Sequence, residues 1–153
     1  MKKIQFALIA VGLAMVVGVT SPAYAGTLVL DVEPDGDALS FVAGDNGGGQ
    51  FFIPGVIFEA GTTNAVGTFL CWGWASADGP VLVSQEFDID GCGKIQTQGV
   101  EDEGQRAVTG GTGRFRNVRG QVKESVFDPV EPFLNFTVTF KLIGGNCNLG
   151  LGD

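Results

Sequence analysis

Residues 81–90 read VLVSQEFDID, and the odd and even positions of this stretch carry different kinds of side chain. The odd positions are apolar apart from one glutamine; they are Val81, Val83, Gln85, Phe87 and Ile89. After Leu82, the even positions hold serine and acidic residues. Successive side chains of a strand point to opposite faces, so this alternation predicts a strand that buries one face and exposes the other. Residues 135–142, NFTVTFKL, show the same alternation.

Similar short runs recur along the chain, and glycine-rich turns separate them. Runs rich in Val, Ile, Phe and Thr predict strands near residues 27–33, 38–43, 50–59, 65–75, 80–90, 94–100, 113–127 and 132–142. Beyond the first 25 residues no segment repeats apolar residues at helical spacing, so little helix is expected. The predicted fold is all-β. Eight neighbouring strands close most simply as an antiparallel up-and-down β-barrel, and a two-layer sandwich is the alternative.

The first 25 residues have the three parts of a secretory signal peptide. Two lysines precede an apolar run over residues 4–19, and the sequence AYA at residues 23–25 offers a small-x-small cleavage site. The apolar run is shorter than the ~20 residues that a membrane-spanning helix needs. We therefore predict cleavage after Ala25, a single mature domain of residues 26–153, and a secreted or periplasmic location without membrane attachment.

The composition excludes several classes of function. Without the two lysines of the predicted signal peptide, seven basic residues stand against seventeen acidic ones, so the net charge becomes −10. A protein of this charge repels nucleic acid and anionic lipid, and neither is an expected partner. The chain contains no histidine, which excludes Ser-His-Asp and Cys-His catalysis and imidazole-bound zinc. Residues 35–37 and 88–91 resemble the start of a calcium loop but lack its later glutamate, so no metal is expected.

Three cysteines follow the predicted cleavage site: Cys71, Cys92 and Cys147. An oxidising compartment permits one disulfide among them and leaves one thiol. The spacing does not determine which two residues pair. A disulfide that included Cys71 would remove this thiol from any chemistry.

Residues 107–115, AVTGGTGRF, contain three closely spaced glycines. A phosphate-binding loop is one interpretation, but the required Gly-x4-Gly-Lys spacing and the following helix are both missing. We interpret the segment as a barrel corner, in which glycine permits positive φ and lets two strands turn sharply. The corner motif consists of Gly110, Gly111, Gly113 and Phe115.

This motif, continued by RGQVK at residues 119–123, resembles the signature of the allene oxide cyclase and dirigent barrels. Residues 67–71, GTFLC, resemble a glycine-cysteine pattern on a middle strand of that family, and residues 133–142 resemble its final strand. The resemblance implies an eight-stranded barrel, often a homotrimer, with an apolar pocket at one end and no metal or organic cofactor. Members of the family cyclise an unstable fatty-acid epoxide or direct the coupling of phenoxy radicals.

The resemblance also implies functional residues. Cys71 matches a cysteine that lines the cyclase pocket, and Asp31 is the best candidate for the acid that the cyclase carries on its first strand. We predict both as catalytic residues; the alternative for Asp31 is a carboxylate that faces solvent from its strand. If Cys71 faces the lumen, the alternation places Phe69 and Gly73 in the ligand pocket with it.

Two further features belong to this pocket prediction. Gln85 and Phe87 share the apolar face of their strand, so Gln85 is either a polar contact for a ligand or a residue near a wet barrel end. Trp72 and Trp74 would point outward, which suits a trimer interface or a pocket rim. A register shifted by one residue would instead place the two tryptophans in the core.

These patterns together predict an exported barrel that binds a small hydrophobic molecule in its lumen. Two kinds of function stay open. The first is a cofactor-independent cyclase, isomerase or dirigent-like protein that acts by proximity and conformational control. The second is a non-catalytic carrier of a hydrophobic ligand, or a structural oligomer.

Overall fold

The computed structural model describes residues 25–45, 47–101, 104–128, 135–145 and 147. The predicted signal peptide therefore lies outside the described residues, apart from Ala25. No helix within these ranges is long and apolar enough to span a lipid bilayer.

Nine antiparallel strands occupy the described part of the chain. They are β1 (Ala25–Pro34), β2 (Ser40–Ala43), β3 (Gly49–Glu59), β4 (Ala65–Ala75), β5 (Leu82–Ile89), β6 (Gly93–Val100), β7 (Gln105–Gly111), β8 (Arg119–Asp128) and β9 (Asn135–Ile143). Short 3-10 turns lie at Gly36–Ala38 and Gly113–Phe115. The chain is therefore all-β, as the alternation of its side chains predicts.

A single pairing closes the sheet into a barrel. Strands β3 to β9 pair in sequence order, and β9 pairs with β1. The second edge of β1 pairs with β3, which matches Leu30 with Glu59 and Pro34 with Gly55. The predicted eight-stranded antiparallel barrel is thus confirmed, and its strands are β1 and β3 to β9.

Two of the predicted strands differ from the observed ones. The predicted strand at residues 38–43 is β2, which pairs with β3 as an addition to the barrel, because a 3-10 turn interrupts the extended backbone after β1. The prediction of one strand over residues 113–127 is wrong at its start, and it omits β7 altogether. A bulge at Thr109 keeps Gly110 and Gly111 inside β7, so the chain turns only after them.

Alternating side chains fill a common interior. In β5 the residues Val83, Gln85, Phe87 and Ile89 are buried, while those between them are at least partly exposed. The inward faces of the other barrel strands join the same core. We call the two ends of the barrel the Cys92 end, where β5 connects to β6, and the Glu101 end, where β6 connects to β7.

The corner motif closes the Cys92 end. Gly113 has a φ of +59°, and a Cβ atom there would lie 2.5 Å from the carbonyl oxygen of Cys92, so both backbone conformation and space require glycine. Phe115 follows in the 3-10 turn and is 1% exposed. A disulfide joins Cys92 to Cys147 with a Cα–Cα distance of 5.7 Å. Cys71 is the free thiol, and it is buried.

Candidate ligand-binding site

The inner faces of β4 and β5 bring together the residues that the sequence predicts for a ligand pocket. Four of them are no more than 5% exposed: Phe69, Cys71, Gln85 and Phe87. Cys71 pairs with Gln85 across the two strands, and Phe69 pairs with Phe87. Gly73 follows on the same face, one step nearer the Glu101 end. Their role in binding a ligand stays a prediction.

Aromatic rings form one wall of the interior. The ring centroid of Phe69 lies 5.2 Å from that of Phe87 and 5.6 Å from that of Phe136. Phe87 and Phe140 meet edge to face at 5.0 Å. Such tilted and edge-to-face arrangements are the favourable ones for aromatic pairs. This aromatic cluster gives the lumen an apolar and geometrically defined surface.

A cluster of polar side chains lies on the inner face of β5 to β8. It consists of Gln85, Thr97, Arg106 and Glu124, which we call the polar cluster. Gln85 donates Nε2 to Glu124 Oε1 at 2.7 Å. Its Oε1 accepts from Thr97 Oγ1 at 3.0 Å and from Arg106 Nε at 3.1 Å. Arg106 Nη2 also forms an ion pair with Glu124 Oε1. Gln85 is 2% exposed, so it lies inside the barrel and not at a wet end.

Arg106 places a positive charge in the interior. Its side chain occupies the space above Gly99 of β6, where a Cβ atom would lie 2.7 Å from Arg106 Cγ. Burial lowers the pKa of Arg106, and the carboxylate of Glu101 opposes this shift. A guanidinium group has so high an intrinsic pKa that it remains protonated in proteins. The barrel therefore holds a buried cation beside an apolar wall.

The Cys71 thiol is neutral in this environment. Burial raises its pKa to about 12; the negative charge of Glu101 adds to the shift, and the positive charge of Arg106 opposes it. The thiolate is the nucleophilic form of cysteine, so a thiol with this pKa is a poor nucleophile near neutral pH. Cys71 acts here as a soft, weakly polar part of the lumen wall.

Asp31 lies on the outer face of β1, away from Cys71. Its Oδ1 accepts a hydrogen bond from Thr137 Oγ1 at 2.6 Å, and its Oδ2 accepts one from the backbone N–H of Gly61 at 2.7 Å. These bonds join β1 to β9 and to the turn between β3 and β4. The structure thus brings Cys71, but not Asp31, into the lumen.

The sequence pattern did not reveal Thr97, Arg106 and Glu124 as site residues. Arg106 stands at the start of β7, the strand that the prediction omits, so its inward position could not be recognised. The available signal is the alternation within residues 105–111, where Arg106 shares a buried face with Val108. Thr97 and Glu124 are polar residues at inward positions of predicted strands. The alternation of apolar residues does not predict that a polar side chain is buried there.

The polar cluster does not form a metal site, and it lies apart from a surface groove at the other end of the barrel. Within the described ranges, no group of three or more cysteine or acidic side chains is placed to hold a metal ion. A shallow groove of about 480 Å³ lies between β1, β8 and β9, where Gly26, Gly120 and Leu142 contribute to its wall. It is at the Cys92 end, and it contains no member of the polar or aromatic cluster.

Solved structures share this architecture. No protein-family model matches the sequence, and no curated protein matches it. Pyocyanin demethylase aligns with a TM-score of 0.57 and 19% identity, over 76% of this chain and 99% of that one. The pterocarpan synthase dirigent protein PsPTS1 aligns with a TM-score of 0.60 and 16% identity, over 84% and 99% of the two chains. The related protein GePTS1 has a TM-score of 0.59 and 15% identity, over 84% and 91%.

These similarities identify the fold. At such identities, the comparison shows the architecture and not a shared activity. The chain has the barrel fold of the allene oxide cyclase and dirigent type, as its glycine motif suggests.

Replacing Asp31 by alanine should destabilise the protein. Asp31→Ala removes the acceptors of Thr137 Oγ1 and the Gly61 N–H, so the free energy of unfolding should fall by about 1–2 kcal/mol. Urea unfolding followed by tryptophan fluorescence measures this change. The matched control is Asp78→Ala in the exposed turn between β4 and β5, which should change stability by less than about 0.5 kcal/mol. Equal stabilities of the two variants would contradict the structural role of Asp31.

The Cys71 thiol should resist alkylation in the folded protein. With its pKa raised to about 12, Cys71 has almost no thiolate at pH 8, and the side chain is also buried. Iodoacetamide should therefore label the native protein far more slowly than a free cysteine model compound. Unfolding without reductant should expose a single reactive thiol, because Cys92 and Cys147 are joined. Mass spectrometry counts the labels; rapid native labelling would show that Cys71 is activated.

Proposed function

We propose that this chain is an exported barrel that binds a small hydrophobic molecule in its lumen. One observation carries the proposal: the closed barrel combines an aromatic wall with a buried polar cluster on the same inner surface. Ligand sites in proteins have this composition, with mostly apolar walls and a few convergent polar groups. Eight-stranded barrels also have the diameter at which the interior is either filled by side chains or holds one small ligand.

The polar cluster favours a role beyond packing. A buried ion pair is seldom more stabilising than apolar side chains of the same volume. Arg106 is 3% exposed and Glu124 lies against it, although apolar residues would fill the same space at lower cost in solvation. We infer that these groups are retained because they orient a ligand.

The chemistry available in the lumen is that of a cofactor-independent cyclase, isomerase or dirigent-like protein. Arg106 can stabilise negative charge that develops on a ligand oxygen, since its donors are already held in place by Gln85 and Glu124. The aromatic cluster would limit the conformations of a reactive ligand and so select among its products. Cys71 lines this space as a neutral thiol, and Asp31 has no part in the proposal because it faces outward.

The neighbours' names agree with a small-molecule ligand. Proteins of the same fold are named for the demethylation of pyocyanin and for the synthesis of pterocarpan. The alternative is a carrier or a structural oligomer without chemistry. The full burial of Phe87, Ile95 and Phe140 favours this alternative for the half of the barrel nearer the Cys92 end.

Purified protein should carry its ligand. We expect the chain, expressed with residues 1–25 in a bacterium and recovered from the envelope, to begin at Gly26 and to show an added mass in native mass spectrometry. Organic extraction should remove this mass and release an apolar compound. A protein that is always unliganded, and that retains no apolar compound after incubation, would support the structural alternative instead.

We also propose that the outer faces of β3, β4 and β5 form the contact between subunits of a homotrimer. These faces carry neighbouring apolar side chains that are 36–53% exposed; they are Phe52, Leu70, Trp74 and Leu82. Trp74 pairs with Leu82, and Leu70 pairs with Pro54, so the exposed groups form one continuous surface. Large exposed apolar patches are uncommon on monomers and usually mark an interface.

Introducing a charge at Trp74 should separate the subunits. Trp74→Glu buries a carboxylate in the proposed contact, and light scattering coupled to size-exclusion chromatography should then report a monomer in place of a trimer. The matched control is Ala107→Glu, which adds the same charge on the exposed outer face of β7, across the barrel. A wild-type protein that is monomeric at all concentrations tested would disprove the proposed trimer.

A further inference from the structure

The guanidinium of Arg106 has two buried nitrogens, Nη1 and Nη2, that make no hydrogen bond with the described residues, and of these only Nη2 is held in a close ion pair. Its Nε donates to Gln85 Oε1, and its Nη2 is paired with Glu124 Oε1. Its Nη1 is buried, and no hydrogen bond to it exists within the described residues. Glu101 Oε2 forms an ion pair with Nη1 at 3.9 Å, and this distance is too long for a hydrogen bond. Buried donors normally have partners, so this nitrogen lacks an acceptor that a ligand can supply.

The unpartnered nitrogen belongs to the predicted pocket and not to a separate site. Arg106 bonds to Gln85, and Gln85 pairs with Cys71 across β4 and β5. Arg106 and Glu101 are also close enough to Cys71 to influence its thiol electrostatically. Glu101 is 43% exposed at the end of β6, so the cluster extends from the buried lumen to the rim of the Glu101 end.

The charges of these groups limit what the ligand can be. The guanidinium contributes one positive charge, whereas Glu124 and Glu101 contribute two negative charges. Gln85, Thr97 and the Cys71 thiol are neutral. The polar cluster itself is therefore neutral, and Glu101 at its rim gives the whole site a net charge of −1 before any ligand arrives; like charges at short range repel each other. A carboxylate would be repelled, while an uncharged acceptor would not.

We propose that Arg106 Nη1 donates a hydrogen bond to an uncharged oxygen of the ligand, of the carbonyl type, and that the same cluster discriminates against carboxylates. This inference rests on the proposed function, and it names the class of molecule that the lumen takes: a small, mostly apolar compound with a ketone or aldehyde oxygen. Its apolar part packs on Phe69 and Phe136, which are less deeply buried than Phe87 and Phe140, and its oxygen meets the polar cluster.

Three probes of similar size and shape separate the possibilities: acetophenone, ethylbenzene and benzoate. The dissociation constant of each is measured by NMR titration of the purified mature protein. Acetophenone should bind about tenfold more tightly than ethylbenzene, which lacks the acceptor, since one hydrogen bond to a charged donor is worth about this factor. Benzoate should bind more weakly than acetophenone because of its charge.

Variants assign the preference to Arg106. Glu124→Gln is the background, and Arg106→Met is added to it, so that no carboxylate is left buried beside a missing cation. The double variant should bind acetophenone and ethylbenzene equally, while the background keeps the preference. The infrared band of carbonyl-13C acetophenone should shift to lower frequency when bound to the background and not when bound to the double variant. Arg116→Met, on the exposed corner, is the matched control and should behave as wild type.

A second variant tests the charge argument if the double variant does not fold. Glu101→Gln on the rim raises the net charge of the whole site, polar cluster and rim together, to zero, so benzoate should bind several-fold more tightly and acetophenone should be unaffected. Benzoate as the tightest ligand of the wild type, or equal binding of acetophenone and ethylbenzene, would overturn this inference and leave lumen binding intact. Failure of all three probes to bind, with no ligand in the purified protein, would overturn the proposed function as well.

Discussion

The pairing of β1 with β3 closes the sheet into a barrel, and the division between inner and outer side chains follows from it. Five consecutive residue pairs, from Leu30–Glu59 to Pro34–Gly55, join the free edge of β1 to the part of β3 that β2 does not cover. Closure turns one face of every strand into an interior and the other into an exterior. Because of this division, the aromatic cluster and the polar cluster lie inside the barrel. The exposed apolar side chains of β3 to β5 lie outside it. In an open sheet, Arg106 and Glu124 would be ordinary surface residues.

Closure also explains how a charged group is tolerated inside. The barrel brings four polar side chains from β5, β6, β7 and β8 within hydrogen-bonding reach, so that the buried Arg106 contacts Gln85 and Glu124. Glycine at position 99 leaves the space through which the arginine side chain passes. Buried charges are stable only when paired and hydrogen-bonded; here Nε is hydrogen-bonded to Gln85 and Nη2 is ion-paired with Glu124, whereas Nη1 makes no hydrogen bond in the part of the chain that the structure describes. The interior is therefore apolar around the aromatic cluster and hydrogen-bonded around the polar cluster.

Much of the fold was predictable because the alternation of burial is local. The pattern of residues 81–90 predicts which face of β5 is buried, and the matching register of β4 places Cys71 and Phe69 opposite Gln85 and Phe87. The glycine motif was harder to interpret. Three glycines suggest a break in the chain, yet a bulge at Thr109 accommodates two of them inside β7, and only Gly113 adopts a turn conformation. Bulges depend on the partner strand, so a single sequence cannot reveal them.

The candidate site was predictable in part, for a related reason. The apolar members of the lumen follow from period-two burial, whereas Arg106 and Glu124 are residue types that are usually exposed. Asp31 is the opposite case: an acid on the first strand is a reasonable catalytic candidate, but its neighbours Leu30 and Val32 take the inward positions and leave Asp31 outside. Only the closed barrel shows that Thr137 and Gly61 are its partners.

Four properties can be read from the residues alone: the chain is all-β, glycine turns separate its strands, histidine chemistry is excluded, and one face of the central strands is apolar. These properties follow from composition and from the two-residue period of a strand, which act over a few neighbouring residues. The tertiary structure alone decided which strands close the barrel, that Cys92 pairs with Cys147, and that Arg106 meets Gln85 and Glu124. Each of these contacts joins residues far apart in the chain, and their partners are selected by the register of the whole barrel.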